Sequence, residues 1–497
     1  MEVVSSIRPI LTLLVSAIAA VLILVTGERR RNLRELWTVL ASVTKFSLVA
    51  SMIPTVLAGK VIESTIMDFS PGITLQFRVD AFGIFFATLA SALWIATSIF
   101  SIGYMRGLNE HAQTRYFFCF AFALNGALGV AFAGNVLTLF IFYEILTIAT
   151  FPLVAHKETR EAIMGGRKYL AYLLTGAALV FFSMGLAYHL TGTLDFVGGG
   201  FLQGHGSDNL LRLLFVTFIL GFGTKAALMP IHEWLPTAMV APTPVSALLH
   251  AVAVVKAGVF CVLRVVLYVF GPQLLSHLNL WLILAYFASF TIIGSGMLAL
   301  AQDNLKRRLA FSTINNLAII VMGAALLSPS AIIGGIFHIA GHGFMKITLF
   351  FVAGAIYVKT RKENISELNG IGRTMPITMA SFAIGAMGIA GTPPIVGFIS
   401  KWYLCLGSLE AKEIVFMFVL LTSALLDIAY FFPIIYNSFF NRPKGGGNSG
   451  FDEASMLMVV PLSVCAIISV ILGVAPDAFF HFFRVATVAA RNILGMG

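Results

Sequence analysis

The sequence predicts an all-α polytopic membrane protein of about fourteen transmembrane helices, on three observations: an apolar composition, recurring hydrophobic runs of spanning length, and positive charge concentrated in alternate loops. Of the 497 residues, 59% are hydrophobic and 11% charged, too little polar surface to coat a water-soluble fold. Runs of roughly 20 apolar residues recur between Arg8 and Pro476, each long enough to cross about 30 Å of hydrocarbon as a helix. The expected spans are 8–26, 36–58, 79–103, 115–133, 135–155, 168–190, 212–232, 244–268, 278–300, 308–327, 331–358, 376–404, 412–440 and 456–475.

The first run follows Arg8 and resembles a secretory signal. It has no small-residue cleavage site, and Glu28 to Arg34 follow at once, so it reads as a retained helix. The second contains Lys45, a charge that counts against it as a span. Numbering the loops from this assignment puts 19 lysines and arginines in the odd loops and 4 in the even ones. Positive residues collect in short cytoplasmic loops, so the odd loops are expected on the cytoplasmic side of the cell (inner) membrane and both termini outside. The net charge of +10 therefore reports topology, with lipid rather than nucleic acid as the surrounding partner. Cys119, Cys261, Cys405 and Cys465 lie singly inside apolar runs, as small core residues do.

The seventh and twelfth spans carry helix-breaking prolines: Pro230 in Lys225-Ala-Ala-Leu-Met-Pro, and Pro393 and Pro394 in Gly391-Thr-Pro-Pro-Ile-Val-Gly-Phe-Ile-Ser-Lys401. Proline removes a backbone donor and clashes with the preceding turn, so the helix breaks or bends. Two such breaks five helices apart, each beside a lysine, point to a repeat-built transporter whose second copy is inverted. Gly445 to Gly450 reads as a flexible loop before the last span.

Six basic residues fall inside the spans: Lys45, Lys225, Lys256, Arg264, Lys346 and Lys401. Arg264 lies near an expected helix end, where it can snorkel. Glu144, in Phe-Ile-Phe-Tyr-Glu-Ile-Leu, sits mid-span, where an isolated carboxylate is costly unless neutral or paired; Lys225 is its natural opposite charge. His250 and Lys256 are six apart on one span, facing about 120° away from each other on a regular helix, so one path through both needs a bulge or water. His338, His342 and Lys346 repeat at spacing four and share one helix face over about 12 Å. A metal or haem site competes with a proton relay there, because paired histidines at that spacing bind zinc. No carboxylate or cysteine lies nearby in sequence, and Lys346 on the same face repels a cation. Lys401 closes the series beside the second break, with Asp427 available to pair with it. His232 and Glu233, just past Pro230, mark a mouth.

With these motifs together, the sequence resembles the antiporter-like membrane subunits shared by respiratory complex I, Mrp-type cation/proton antiporters and energy-converting membrane hydrogenases. The resemblance covers nearly the whole chain and is densest over Glu144, Lys225 to Lys256, His338 to Lys346 and Gly391 to Lys401. It implies two inverted five-helix repeats: a three-helix segment over 1–110, repeats over 111–270 and 271–440, and a C-terminal helix and tail over 441–497. It also implies Glu144 and Lys225 as a coupling pair, Lys256, His250 and the histidine stripe as a central hydrophilic axis, and Lys401 toward the exit. Thr243 to His250 and Gly397 to Trp402 look closer to the Mrp D-type and membrane-bound hydrogenase members. The chain ends soon after Asn492 without the long amphipathic helix of the longest distal subunits, and Asp427 stands where such relatives suggest asparagine.

The expected function is proton translocation, with Na+/H+ antiport left open. The chain would have no redox centre, cofactor or metal of its own and would work among other membrane subunits, further antiporter-like ones included. The whole complex would have NADH:quinone oxidoreductase or hydrogenase activity. The alternatives are a membrane partner subunit in inorganic-carbon uptake and a haem- or quinone-binding enzyme subunit.

Overall fold

Residues 2–442 and 450–496 are described by the computed structural model, so the loop expected over Gly445 to Gly450 lies, Gly450 apart, outside the described residues. Within them, twelve helices are long and apolar enough to cross a membrane. They are α1 (Arg8–Thr26), α2 (Arg31–Leu57), α3 (Ala81–Leu108), α4 (Gln113–Phe132), α5 (Val136–Val154), α6 (Arg160–Thr191), α8 (Thr243–His277), α9 (Leu280–Leu300), α10 (Leu305–Ala325), α11 (Pro329–Thr360), α14 (Ile414–Phe440) and α15 (Met456–Val474). Between them lie α7 (Asp208–Lys225), α12 (Pro376–Ala390) and α13 (Val396–Glu410), and a short α16 (Phe482–Leu494) follows. The chain is a multi-pass membrane protein.

Helix starts follow from local chemistry. Asp80, Asn135, Thr159, Asn304 and Ser328 each accept a hydrogen bond from a backbone N–H of the first turn of α3, α5, α6, α10 and α11, satisfying donors that a helix leaves open. Lys225 is the last residue of α7, and Pro230 falls in the non-helical stretch that follows. The Trp234 indole donates to the Thr224 carbonyl at 2.8 Å, taking up an acceptor freed at that helix end. α12 ends at Gly391, whose φ of +91° suits a residue without a side chain. Pro393 and Pro394 lie in the gap before α13, so span 376–404 is two helices, the second running on to Glu410.

Burial sorts the helices. α8 and α11 are enclosed along their whole apolar stretch, and α10 nearly so, whereas α1, α2, α14 and α15 leave more than half of theirs uncovered. Helices apolar all round belong in the middle, and here the enclosed ones carry His250, Lys256, His338, His342 and Lys346. Gly334 of α11 lets α13 come close: a Cβ there would lie 3.0 Å from the Ser400 carbonyl, the small-residue contact that membrane helices use.

Three expectations change. The fold is not all helix: Val3–Ser5, Val61–Ser70 and Ile73–Val79 form a three-stranded sheet in that order, the first pair parallel and the second antiparallel. Val61 to Arg78 lies between two expected spans. Its Ser-Pro-Gly turn, with Gly72 at φ +74°, closes a hairpin. Second, the tail is helical: α16 buries Phe482, Val485, Ala486, Ala489, Ala490 and Ile493 on one side. Third, Arg264 does not snorkel. It lies midway along α8, buried, and donates two bonds to Asp80 at 2.6 and 2.8 Å, because the carboxylate at the start of α3 supplies a partner inside.

Candidate functional site

The ionisable residues expected inside the membrane are held by six of these helices. On α5, Glu144 is only partly buried. Lys225, fully buried, donates to the Tyr143 carbonyl at 2.7 Å and the Thr147 hydroxyl at 2.8 Å, and its ammonium rests 3.2 Å from the centre of the Tyr143 ring. The same Thr147 hydroxyl is 3.4 Å from Glu144 Oε1. No ion pair within 4 Å joins Lys225 to Glu144 among the described residues. The expected pair is therefore spanned by one hydroxyl rather than closed.

In α8, the regular helix opens into a π-turn over Leu248–Val252, directly before Ala253 at φ −113° and ψ −79°. That is the distortion between His250 and Lys256 which the six-residue spacing called for, and such bulges re-aim side chains. Lys256 donates to the Ile339 carbonyl at 3.0 Å and meets His342 Nδ1 at 2.7 Å. His250 packs its ring on Phe350, centres 4.7 Å apart, and neither of its nitrogens has a hydrogen-bond partner.

The stripe on α11 splits between neighbours. His338 contacts Ser400 Oγ at 2.8 Å through Nδ1 and Asn316 Oδ1 at 3.1 Å through Nε2. Lys346 donates to the Ser312 hydroxyl at 2.7 Å. Ser312 Oγ also lies 2.8 Å from the Tyr430 phenol oxygen, the phenol donates to the Asp427 carboxylate, and Asp427 Oδ2 lies 2.8 Å from Lys401 Nζ. Lys346, Ser312, Tyr430, Asp427 and Lys401 thus form one unbroken run of side-chain contacts across α11, α10, α14 and α13. Asp427 and Lys401 are both buried.

No hydrogen bond links Lys225 to Lys256 among the described residues. Lys45 is a further buried cation that sequence reading set aside. Its ammonium donates to Ser16 Oγ at 2.7 Å and the Leu124 carbonyl at 3.2 Å, between α1, α2 and α4. Glu233 is exposed and pairs with Lys168 at 2.6 Å. Nearby, a cavity of about 500 Å³ is lined by Lys157, Glu161, Asn304, Lys306, Arg307 and Glu363 among others.

Comparison with known proteins fits this arrangement. Residues 133–426 match the family model described as NADH:quinone oxidoreductase/Mrp antiporter, transmembrane. The chain belongs to this family. Among its members, NADH-quinone oxidoreductase subunit N of Desulforudis audaxviator is 32% identical over 78% of this chain and 79% of its own length. The A/B subunit of a probable K(+)/H(+) antiporter of Rhizobium meliloti is 31% identical over 87% of this chain but 43% of its own, so the chain spans less than half of that relative. A chain of the Mrp complex from Dietzia sp. DQ12-45-1b superposes with a TM-score of 0.88, covering 98% of this chain and 97% of that one at 19% identity, which shows the shared fold.

Proposed function

We propose that the chain is a proton-translocating subunit of a larger energy-converting membrane complex, with its buried Glu, Lys and His residues as the carriers. The observation that supports this most is the run from Lys346 to Lys401, in which an acid, a phenol and a hydroxyl stand between two lysines. Each of these groups both gives and accepts a proton or hydrogen bond, so a charge arriving at one end can be passed on. A static scaffold has no need of such a series, because buried ionisable groups cost stability without it.

In this reading Glu144 sets the charge state at the uptake end and Thr147 couples it to Lys225. Lys256, His342, His338 and Lys346 form the middle, and Lys401 with Asp427 delivers toward the exit. Water bridges the gap between Lys225 and Lys256, and His250, at the π-turn, is the reserve polar group beside it. The histidine nitrogens are largely engaged by Ser400, Asn316 and Lys256, which favours a relay over a haem ligand pair.

With α7 and the α12–α13 pair each counted as one interrupted crossing beside the twelve continuous helices, the chain crosses fourteen times. The two interruptions mark equivalent places in inverted repeats over 111–270 and 271–440. The face with the most basic loops is cytoplasmic. Partner membrane subunits are expected: Glu144 is incompletely covered, and a mid-membrane carboxylate facing hydrocarbon is costly, so a neighbouring subunit is the natural cover. The curated relatives are themselves named as subunits, and one is named a K(+)/H(+) antiporter, which favours cation/proton antiport as the second reading.

The test is Glu144→Gln and Lys225→Ala in the assembled complex reconstituted in vesicles. Both variants are expected to lose proton movement while assembling normally; unchanged movement sinks the coupling role. Imposing a Na+ or K+ gradient on the wild-type vesicles separates antiport from proton transport alone.

A further inference from the structure

One buried histidine stands apart from the membrane line. His156 follows the end of α5 and is fully enclosed, yet neither ring nitrogen has a hydrogen-bond partner. A buried polar group left open calls for a ligand or another explanation. Facing it is the tight turn between α3 and α4, where Asn109 and Ala112 both take positive φ and hold Glu110 and His111 side by side. The His111 and His156 rings stack with centres 4.9 Å apart and planes 27° from parallel. Donor atoms of Glu110, His111 and His156 all lie within 4.8 Å of one another.

We propose that Glu110, His111 and His156 bind one divalent transition-metal ion of the zinc class. Two imidazoles and a carboxylate are a three-protein-ligand set that leaves a fourth position for water, and imidazole selects zinc, cobalt, nickel or copper over magnesium or calcium. Bonds of about 2.0–2.1 Å place tetrahedral donors about 3.3 Å apart, so the site closes by roughly 1.5 Å. The part that moves is the turn: His111 is about half exposed, while the buried His156 stays in place.

The surrounding charges permit this. The nearest cation, Arg115, is already committed: it pairs with Glu158 and donates to the His156 carbonyl at 3.1 Å. Glu158 also places a carboxylate 3.9 Å from His111 Nε2. Lys157, next in sequence, turns away toward the Tyr357 ring at 5.8 Å. The ion would tie the α3–α4 turn to the end of α5, the helix that carries Glu144.

The purified full-length protein in detergent, stripped with chelator, is titrated with Zn2+ by calorimetry and with Co2+ by visible absorption. One equivalent of Zn2+ per chain is expected, with the absorption of a four-coordinate Co2+ centre. His111→Ala, which changes an exposed side chain and keeps the fold, and Glu110→Gln are each expected to weaken binding at least tenfold. His277→Ala, a change at an exposed histidine elsewhere, leaves it unchanged. A stoichiometry of zero, or binding that survives the Glu110→Gln, His111→Ala double variant, overturns the assignment.

Discussion

Lys225 and Lys401 each sit at a helix interruption, yet their surroundings differ. Lys401 is locked onto Asp427 at 2.8 Å, with a tyrosine on the same carboxylate and every member buried. Lys225 faces a backbone carbonyl, an aromatic ring and a hydroxyl, and the carboxylate beyond that hydroxyl is partly uncovered. A closed buried pair is hard to pull apart, because either partner alone is an uncompensated charge. A pair separated by one hydroxyl changes its coupling with a small side-chain movement. The difference teaches where a switch can be placed: in the proposed reading, the Glu144 end is the one that responds and the Lys401 end the one that holds its geometry.

The largest expected effect tests the holding end. Asp427→Leu leaves the Lys401 ammonium buried without a counter-charge and should cost about 3–5 kcal/mol, read as a lowered Tm of the purified protein in detergent. Adding Lys401→Met should recover most of that loss, since a well-packed apolar pair replaces a buried ion pair at little cost. Glu144→Gln removes the charge and keeps an amide oxygen that can accept the one long hydrogen bond from Thr147, so it should cost at most about 0.5–1.5 kcal/mol. If Glu144→Gln destabilises as much as Asp427→Leu, the two ends are not different in kind.

How much of this was legible beforehand depends on what each residue leaves in the sequence. A charge inside an apolar run is conspicuous, so Glu144, Lys225, Lys256, the α11 stripe and Lys401 stood out at once, and the proline breaks located α7 and α12 to α13. Their connectors were not conspicuous. Thr147, Ser312, Ser400 and Tyr430 are ordinary residues of membrane helices, and only tertiary packing brings them to a charge. The run Ser312-Thr-Ile-Asn-Asn316 was the one available hint, a polar patch within an enclosed helix. Arg264 was misread because a helix-end rule was applied to a helix that runs to His277. The hairpin over Val61 to Val79 is written in a different period, the alternation Ile73-Thr-Leu-Gln-Phe-Arg-Val79, which hydrophobic runs of spanning length do not show. His156 gave no signal: its partners, Glu110 and His111, lie some 45 positions earlier in the chain.

The next effect acts on the responsive end. Thr147→Val keeps the side-chain shape and removes the hydroxyl between Lys225 and Glu144. A hydrogen bond to a charged group contributes about 1.5–3 kcal/mol, and Lys225 retains the Tyr143 carbonyl, so the lower figure applies. Proton movement in vesicles should fall roughly tenfold, the change that about 1.4 kcal/mol corresponds to, with assembly intact. Thr147→Ser, which restores a hydroxyl, should recover it. If valine moves protons like wild type, the two charges communicate by another route.

The smallest effect asks which way the middle of the line reaches Lys401. The Lys346 side arrives through Ser312, Tyr430 and Asp427, whereas His338 meets Ser400, the residue before Lys401, whose hydroxyl donates to the Gly397 carbonyl. Tyr430→Phe breaks only the first connection and Ser400→Ala only the second. The stability change should be about 1 kcal/mol for Ser400→Ala and about 1.5–3 kcal/mol for Tyr430→Phe, whose phenol bonds a carboxylate. Transport separates them: two parallel connections predict a modest slowing in either single variant and a far larger loss when both are combined. If Tyr430→Phe alone stops proton movement, the phenol between Ser312 and Asp427 is the sole connection and the Ser400 contact merely orients His338. If Ser400→Ala alone does so, the holding end is reached from the histidines, and the Asp427 carboxylate anchors Lys401 without passing anything to it.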